Sequence, residues 1–170
     1  MYTRSRRDAL PIWVLECLVD EGSLFEVQPH FGSALITALA FLGGQSVAVV
    51  ANDPSTKAGA LDSDAANKAA RFIEVVGSFH LPVIFLADNP GVQAGTKAER
   101  EGALRAAARM FAAQRRLRSP KLHVTVRKAF GFGSSVMAMN PFDGQTLCVD
   151  RKSTRLNSSH VVISYAAFSF

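Results

Sequence analysis

The 170-residue chain has few cysteines and no long apolar run. Its two cysteines, Cys17 and Cys148, are too few and too far apart for a disulfide framework or a zinc-binding spacing, so a cytoplasmic location is expected. The longest apolar stretch, around residues 34–42, falls well short of the ~20 residues that a membrane-spanning helix needs. We therefore expect neither a disulfide-stapled secreted domain nor a protein that spans a membrane.

An excess of one charge sign is also missing from the body of the chain. The formal net charge is +5, but residues 1–12 contribute +2 and residues 151–170 contribute +3, so residues 13–150 sum to zero. A basic surface within the domain is the electrostatic footprint of nucleic-acid binding. Because the basic residues lie in the two ends, we expect no nucleic-acid partner.

Both ends resemble sequence of non-natural origin. Residues 150–160, DRKSTRLNSSH, resemble an in-frame translation of a common sequencing adapter, and residues 8–12, DALPI, resemble the end of a companion adapter. Segments of this kind are set aside before the fold is considered. We expect a non-native leader at residues 1–13, a partial domain at residues 14–149 and a disordered, adapter-derived tail at residues 150–170.

The first half of the chain contains a hairpin pattern followed by a helix pattern. Residues 18–32 predict a helix end and an entry loop. Residues 33–53 hold two apolar runs joined by Gly43-Gly44, a pair that supplies the positive φ angles of a tight turn, and such continuous runs predict strands buried on both faces. Residues 62–80 show helical spacing with Asp62 or Ser63 as the N-cap, and residues 81–91 predict a strand.

The second half repeats the alternation of helix and strand. Thr96 and Glu99 form a T-x-x-E capping pattern, which predicts one helix from Thr96 to about Leu117. Residues 121–129 alternate as a strand, and a short helix follows the small-residue turn at 131–135. Strands that alternate with helices predict a layered α/β domain.

Two loops, residues 88–96 and 130–135, each leave the C-terminal end of a predicted strand and run into a helix. Open α/β sheets bind ligands at this edge. A helix N-terminus presents unpaired amides and a positive partial charge, and small residues let a ligand oxygen approach the main chain. We therefore predict that the backbone N–H groups of Phe132 and Gly133 form an oxyanion hole.

Other interpretations of these residues are weaker. The sequence Gly131-Phe132-Gly133-Ser134-Ser135 is not the G-x-S-x-G nucleophile elbow, and it lacks the third glycine of a dinucleotide-binding turn. The lone histidines are expected to satisfy local hydrogen bonds, so no metal site is predicted. Met137 and Met139 are expected in the core. Chemistry at this site would rely on main-chain amides, because no cluster of acid, base and nucleophile is visible.

Five segments resemble the carboxyltransferase β subunit of biotin-dependent acyl-CoA carboxylases, the propionyl-CoA carboxylase group. They are LVDEGSLFEVQPHFG at 18–32, VAVVANDP at 47–54, SDAANKAARFI at 63–73, FHLPVIFLADNPGVQAGTKAEREGALR at 79–105 and SPKLHVTVRKAFGFGSSVMAMN at 119–140. The resemblance covers nearly all of residues 14–149 and corresponds to the C-terminal half of that subunit. It implies a truncated crotonase-like fold, a superhelix of ββα units.

The resemblance also implies an activity in fatty acid metabolism. Carboxybiotin, carried on a separate biotin carrier domain, would give its carboxyl group to the α-carbon of an acyl-CoA substrate. Implied partners are a biotin carboxylase and biotin carrier subunit, and further copies of the full-length subunit in a homo-oligomer. Because the sites of this family lie between two subunits, we expect the 170-residue chain alone to be inactive.

The family motif G-G-A-Y-D falls on residues 131–135. The resemblance implies that the Phe132 and Gly133 amides are the catalytic pair, beside Gly131, Ser134 and Ser135. Phe132 replaces a family glycine, and Ser135 replaces an aspartate associated with acyl-chain choice, so the acyl-CoA substrate is left open. The loop that would line the biotin side contains Pro90, Gly91, Gly95 and Thr96.

Two alternatives stay open on the sequence alone. One is a crotonase-like hydratase or decarboxylase that acts on a CoA thioester without biotin. The other is a non-catalytic assembly module, for which the alanine-rich helix at 96–117 would serve as the contact surface.

Overall fold

Six strands form one mixed sheet in the computed structural model, which describes residues 10–139 and 144–150. The strands lie in the sheet in chain order; β1, β2 and β3 are antiparallel neighbours, and β3 to β6 run parallel. The helices are α1 (Leu10–Leu18), α2 (Ser63–Ser78), α3 (Thr96–Arg100), α4 (Ala103–Arg116) and α5 (Gly131–Val136), with a 3₁₀ turn at Lys57–Gly59. The strands are β1 (Phe25–Val27), β2 (Leu35–Leu42), β3 (Gln45–Asn52), β4 (Val83–Asn89), β5 (Lys121–Ala129) and β6 (Thr146–Asp150).

The predicted hairpin is confirmed as β2 and β3. Gly43 and Gly44 connect the strands with φ angles of 58° and 80°, both in the left-handed region that glycine adopts without strain. The carboxylate of Asp20 accepts hydrogen bonds from both of these amides, at 2.8 and 2.7 Å. The register of the whole hairpin is therefore set by this two-residue turn.

Hydrophobic clusters cover both faces of the sheet. On one face, α2 and α4 pack over the inner residues of β2 to β4, with Ile73, Phe85 and Met110 fully buried. On the other face, α1 places Leu15 against Ile36 and neighbouring strand residues. The prediction that β2 and β3 are buried on both faces is confirmed, and it explains their nearly continuous apolar sequence.

The helix predicted at residues 62–80 is confirmed as α2, and Asp62 is its N-cap, accepting a hydrogen bond from the Ala65 amide at 2.8 Å.

The prediction of one helix from Thr96 to Leu117 is wrong. Gly102 lies in the left-handed region with a φ of 75°, which ends α3 and starts α4 in a new direction. The predicted capping box is also wrong, because Gly95 is the N-cap and Thr96 is already the first helical residue.

Several smaller features differ from the sequence-based expectations. Residues 18–32 were predicted to hold a helix end and a loop, and α1 ends at Leu18. The loop contains the short strand β1, which was not predicted. Strand β6 was not predicted either. Met137 is buried, whereas the prediction for Met139 is wrong because this residue follows α5 and is 37% exposed.

The expectations for the chain ends stay predictions. Helix α1 begins at Leu10, inside the expected leader. Ile12 packs against the hydrophobic cluster that contains Leu15 and Ile36. Residues 151–170 of the expected tail lie outside the described residues. Within the described part of the chain, no helix is long and apolar enough to cross a membrane.

Candidate functional site

Three neighbouring parallel strands bring their C-terminal ends to one edge of the sheet. Strand β3 ends at Asn52, β4 ends at Asn89, and β5 leads directly into α5. Asn52 and Asn89 are 3% and 0% exposed. Polar side chains buried this deeply are stable only when they are hydrogen-bonded, so their partners define the architecture of the edge.

Asn52 ties the connections that follow β3 and β4 together. Its Oδ1 accepts hydrogen bonds from the Asp88 amide and from Asn89 Nδ2, both at 3.1 Å. Its Nδ2 donates to the Gly59 carbonyl at 3.2 Å. One buried amide side chain therefore fixes the start of the predicted loop at 88–96 against the 3₁₀ turn.

The first predicted loop is fixed further at Gly91. Asn89 Oδ1 accepts a hydrogen bond from the Gly91 amide at 3.0 Å, and the Gly91 carbonyl accepts one from the Leu61 amide at 3.1 Å. Pro90, Gly95 and Thr96 are exposed. The loop thus has a buried, fixed beginning and an open end that runs into α3.

The second predicted loop packs directly on the first. Gly133 is buried, and a Cβ atom built on it would lie 2.7 Å from Gly91 Cα and would overlap Asn89 Oδ1. A side chain cannot fit between these two main-chain segments. The structure therefore brings Gly91 and Gly133, which the sequence assigned to separate loops, into van der Waals contact.

The main-chain N–H groups in the first turn of α5 have no hydrogen-bond partner among the described residues. Phe130 is the N-cap and provides no side-chain cap. Among the described residues, no acceptor is hydrogen-bonded to the N–H of Phe132 or Gly133. The two donors lie in the first helical turn, where unpaired amides carry a positive partial charge. This arrangement can stabilise negative charge on a ligand oxygen, although the catalytic role of the pair stays a prediction.

The side chains around these amides are held by neighbouring elements. The Phe132 ring packs on Phe111 of α4, with 5.7 Å between ring centroids and an interplanar angle of 51°. Ser134 Oγ donates to the Gly131 carbonyl at 2.7 Å, within the same turn. The Ser135 carbonyl accepts a hydrogen bond from Gln114 Nε2 at 3.2 Å.

Ion pairs neutralise charged groups near this edge. Arg127 Nε donates to both carboxylate oxygens of Asp88, at 3.1 and 3.2 Å. Lys57 pairs with Asp62, and this hydrogen bond raises the pKa of Lys57 above its ordinary value. Across the part of the chain that the structure describes, no three histidine, cysteine, aspartate or glutamate side chains are grouped to hold a metal ion.

Sequence reasoning found both loops but missed Asn52 and Arg127. The signal for Asn52 was a polar residue that ends a buried strand, repeated by Asn89 at the end of the next strand.

A shallow cleft of about 280 Å³ lies between the C-terminal ends of α2 and α4, at the opposite edge of the sheet. It contains no residue of either predicted loop. The histidine expectation is confirmed for His123, whose two ring nitrogens contact the Met137 carbonyl and Thr125.

Comparison with known proteins gives consistent matches. The sequence profile of the carboxyl transferase domain matches residues 5–157. The chain is 45% identical over 130 residues to the uncharacterized carboxylase YngE of Bacillus subtilis, covering 76% of this chain and 25% of that protein. It is 39% identical over 127 residues to the propionyl-CoA carboxylase beta chain of Cereibacter sphaeroides, covering 75% and 25%.

A further relative is the methylmalonyl-CoA decarboxylase subunit alpha of Veillonella parvula, 40% identical over 126 residues, covering 74% of this chain and 24% of that protein. A crystal structure of transcarboxylase 12S, with methylmalonyl-coenzyme A and methylmalonic acid bound, has a TM-score of 0.76 and 36% identity, covering 81% and 27%. The chain therefore spans about a quarter of the length of the curated relatives it matches.

Proposed function

This chain belongs to the carboxyl transferase domain family, and on that premise we propose that it is part of an enzyme that transfers a carboxyl group between biotin and the α-carbon of an acyl-CoA. The crotonase-like α/β fold expected from the sequence is confirmed by the likeness to transcarboxylase 12S. The activity, substrates and partners of the whole enzyme are part of the proposal.

The contact between Gly91 and Gly133 carries this proposal. It places the first turn of α5 beside the loop at 88–96, at the edge where α/β sheets bind ligands. Carboxyl transfer at an α-carbon develops negative charge on a carbonyl oxygen, and paired main-chain donors stabilise that charge without a reactive side chain. The amides of Phe132 and Gly133 are suitably placed donors, because no described residue accepts a hydrogen bond from them.

The surroundings of the two loops fit a biotin ring that approaches the main chain. A Cβ atom on Gly95 or Gly131 would meet no atom within 4 Å, so the backbone is open at both positions. Biotin on a separate carrier domain supplies or accepts the carboxyl group. Pro90, Gly91, Gly95 and Thr96 would form the wall of the site, and Gly131, Ser134 and Ser135 would line its floor.

We further propose that the enzyme works with a biotin carboxylase and biotin carrier subunit and as a homo-oligomer. A hexamer assembly is described for transcarboxylase 12S, whose likeness to this chain supports the proposal. The cytoplasmic location expected from the cysteine content stays a prediction. The identity of the acyl group is left open, because Phe132 and Ser135 replace the glycine and the aspartate of the family motif.

A chimeric subunit tests this function. Residues 14–149 replace the matching segment of the propionyl-CoA carboxylase beta chain of Cereibacter sphaeroides, with the unaltered beta chain as the control. We expect the chimera to carboxylate at least one short acyl-CoA in a biotin-dependent reaction. A chimera that assembles like the control but carboxylates no short acyl-CoA would contradict the proposal.

The 40% identity to a methylmalonyl-CoA decarboxylase subunit favours one second candidate, removal of a carboxyl group from an acyl-CoA. The same oxyanion geometry serves that reaction, because negative charge again develops on the thioester oxygen. The chimera is therefore given methylmalonyl-CoA with and without the biotin carrier. Release of the carboxyl group without the carrier would favour a biotin-independent decarboxylase.

A further inference from the structure

The helix-facing side of β5 is polar although it is buried. Lys121, His123 and Thr125 alternate along this side and are 2%, 1% and 8% exposed. The residues paired with them on β4 are apolar and buried: Val83, Phe85 and Ala87. A buried polar row costs free energy unless its groups are hydrogen-bonded, so the partners of this row indicate its purpose.

His123 holds the C-terminal end of α5. Its Nδ1 lies 2.7 Å from the carbonyl oxygen of Met137, the C-cap residue of α5. A carbonyl oxygen only accepts, so Nδ1 carries the hydrogen. Nε2 lies 2.9 Å from Thr125 Oγ1, whose hydroxyl can donate to it. The neutral tautomer protonated on Nδ1 therefore satisfies both contacts.

Gln114 of α4 makes a second connection to the same helix. Its side chain is 0% exposed, and its Nε2 donates to the Ser135 carbonyl at 3.2 Å. The main-chain carbonyl of Gln114 accepts a hydrogen bond from the buried Lys121 Nζ at 3.2 Å. Two elements, β5 and α4, thus fix the Met137 and Ser135 carbonyls, which lie two residues apart at the end of α5.

The shortness of α5 transmits this constraint to its other end. The helix has six residues, which corresponds to a length of about 9 Å. So short a helix is not stable by itself and takes its orientation from tertiary contacts. We propose that His123 and Gln114 are positioning residues for the Phe132 and Gly133 amides. His123 acts through the Met137 carbonyl, and Gln114 acts through the Ser135 carbonyl. The catalytic consequence of this inference rests on the proposed function.

Backbone NMR of the full 170-residue chain tests the positioning directly. His123→Leu removes the donor to Met137, His123→Asn retains a donor near the position of Nδ1, and Gln114→Met removes the donor to Ser135. We expect the order parameters of the Phe132 and Gly133 amides to fall from about 0.85 to below about 0.6 in the Leu and Met variants. In the Asn variant these order parameters should stay close to those of the unsubstituted chain.

Thr37→Val is the matched control, because Thr37 is 0% exposed and its hydroxyl donates to the Val27 carbonyl at 2.8 Å, remote from α5. It loses a comparable buried hydrogen bond and should leave the Phe132 and Gly133 amides unchanged. Unchanged order parameters at both amides in His123→Leu and Gln114→Met would overturn the inference. Equal losses in Thr37→Val would overturn it too, since the effect would then be general destabilisation.

The chimeric subunit supplies the catalytic readout. His123→Leu should lower kcat by roughly tenfold with little change in KM, since a displaced oxyanion donor costs less than the ~100-fold of a missing one. His123→Asn should restore most of kcat. An unchanged kcat in His123→Leu would contradict the catalytic part of the inference. An inactive unsubstituted chimera would count against the proposed function alone, because the NMR comparison still decides the positioning.

Discussion

At the residue scale, the site depends on glycines and asparagines rather than on reactive side chains. Gly133 is required because Gly91 Cα and Asn89 Oδ1 occupy the space of a Cβ atom. Asn52 is required because it serves three polar partners in the buried edge of the sheet. Both residues act by fixing the main chain, which is the part of the molecule that the proposed chemistry uses.

Gly133→Ala should therefore lower the free energy of unfolding by about 1–3 kcal/mol, the usual cost of overpacking. The matched control is Gly77→Ala in α2, where the added Cβ would meet only the end of the Leu117 side chain, at 2.8 Å. That side chain can move, and alanine is the better helix former, so we expect no loss of stability in the control. Urea denaturation of both variants measures the difference, and equal stabilities would contradict the packing described for Gly133.

Lys68 gives a pH-dependent prediction at the same scale. This α2 residue is 3% exposed, and burial lowers its pKa below the ordinary value of 10.5, although Glu26 and Asp62 act in the opposite direction. The folded state therefore binds this proton less tightly than the unfolded state. The charged Lys68 amine therefore lowers the free energy of unfolding, and this loss is present in full at neutral pH. The loss disappears as the pH rises from the lowered pKa to about 10.5.

Lys68→Met should consequently be more stable than the parent at pH 7, and its advantage should shrink near pH 11. Thermal unfolding at the two pH values provides the measurement. Lys97→Met is the control, because the Lys97 side chain is 89% exposed and an exposed substitution changes stability by less than about 0.5 kcal/mol. An advantage of Lys68→Met that is the same at both pH values would show that burial of the charge is not its cause.

At the element scale, the sequence predicted which segments form helices and strands better than it predicted where they end. The hairpin, α2, β4 and β5 were predictable because apolar periodicity and turn glycines are local signals. The break at Gly102 was not, because an alanine-rich segment around one glycine is compatible with a continuous helix. Here the left-handed glycine ends α3, and α4 can then pack against α2.

Gly102→Ala tests this interpretation of the break. A side chain at a φ of 75° is strained, although a Cβ there would meet no atom within 4 Å. We expect a loss of about 1 kcal/mol in unfolding free energy, measured by urea denaturation. Gly102→Asn should lose less, because asparagine tolerates the left-handed region. A Gly102→Ala variant as stable as the parent would mean that α3 and α4 can join into one helix.

At the scale of the whole molecule, the order of the strands brings the parts of the candidate site together. Because β3, β4 and β5 are parallel neighbours, segments 36 residues apart in the chain meet, as Asn52 and Asp88 do. The position of the two loops at one edge of the sheet could be predicted from sequence, since each follows a strand and begins a helix. Their direct contact could not, because no local pattern encodes which strands become neighbours. For the same reason, the sequence did not predict that α1 packs on the sheet face opposite α2 and α4, or that β6 joins the sheet.

The central claim, that main-chain N–H groups carry the chemistry, is tested most directly by removing one of them. Phenyllactic acid at position 132 of the chimeric subunit replaces the Phe132 amide by an ester and keeps the side chain. The same exchange at Phe111, in the regular helix α4, is the control. We predict that kcat for carboxyl transfer falls by about 10²–10³ for the ester at 132 and changes little for the ester at 111. An ester at 132 that transfers carboxyl groups as fast as the unmodified chimera would contradict the account.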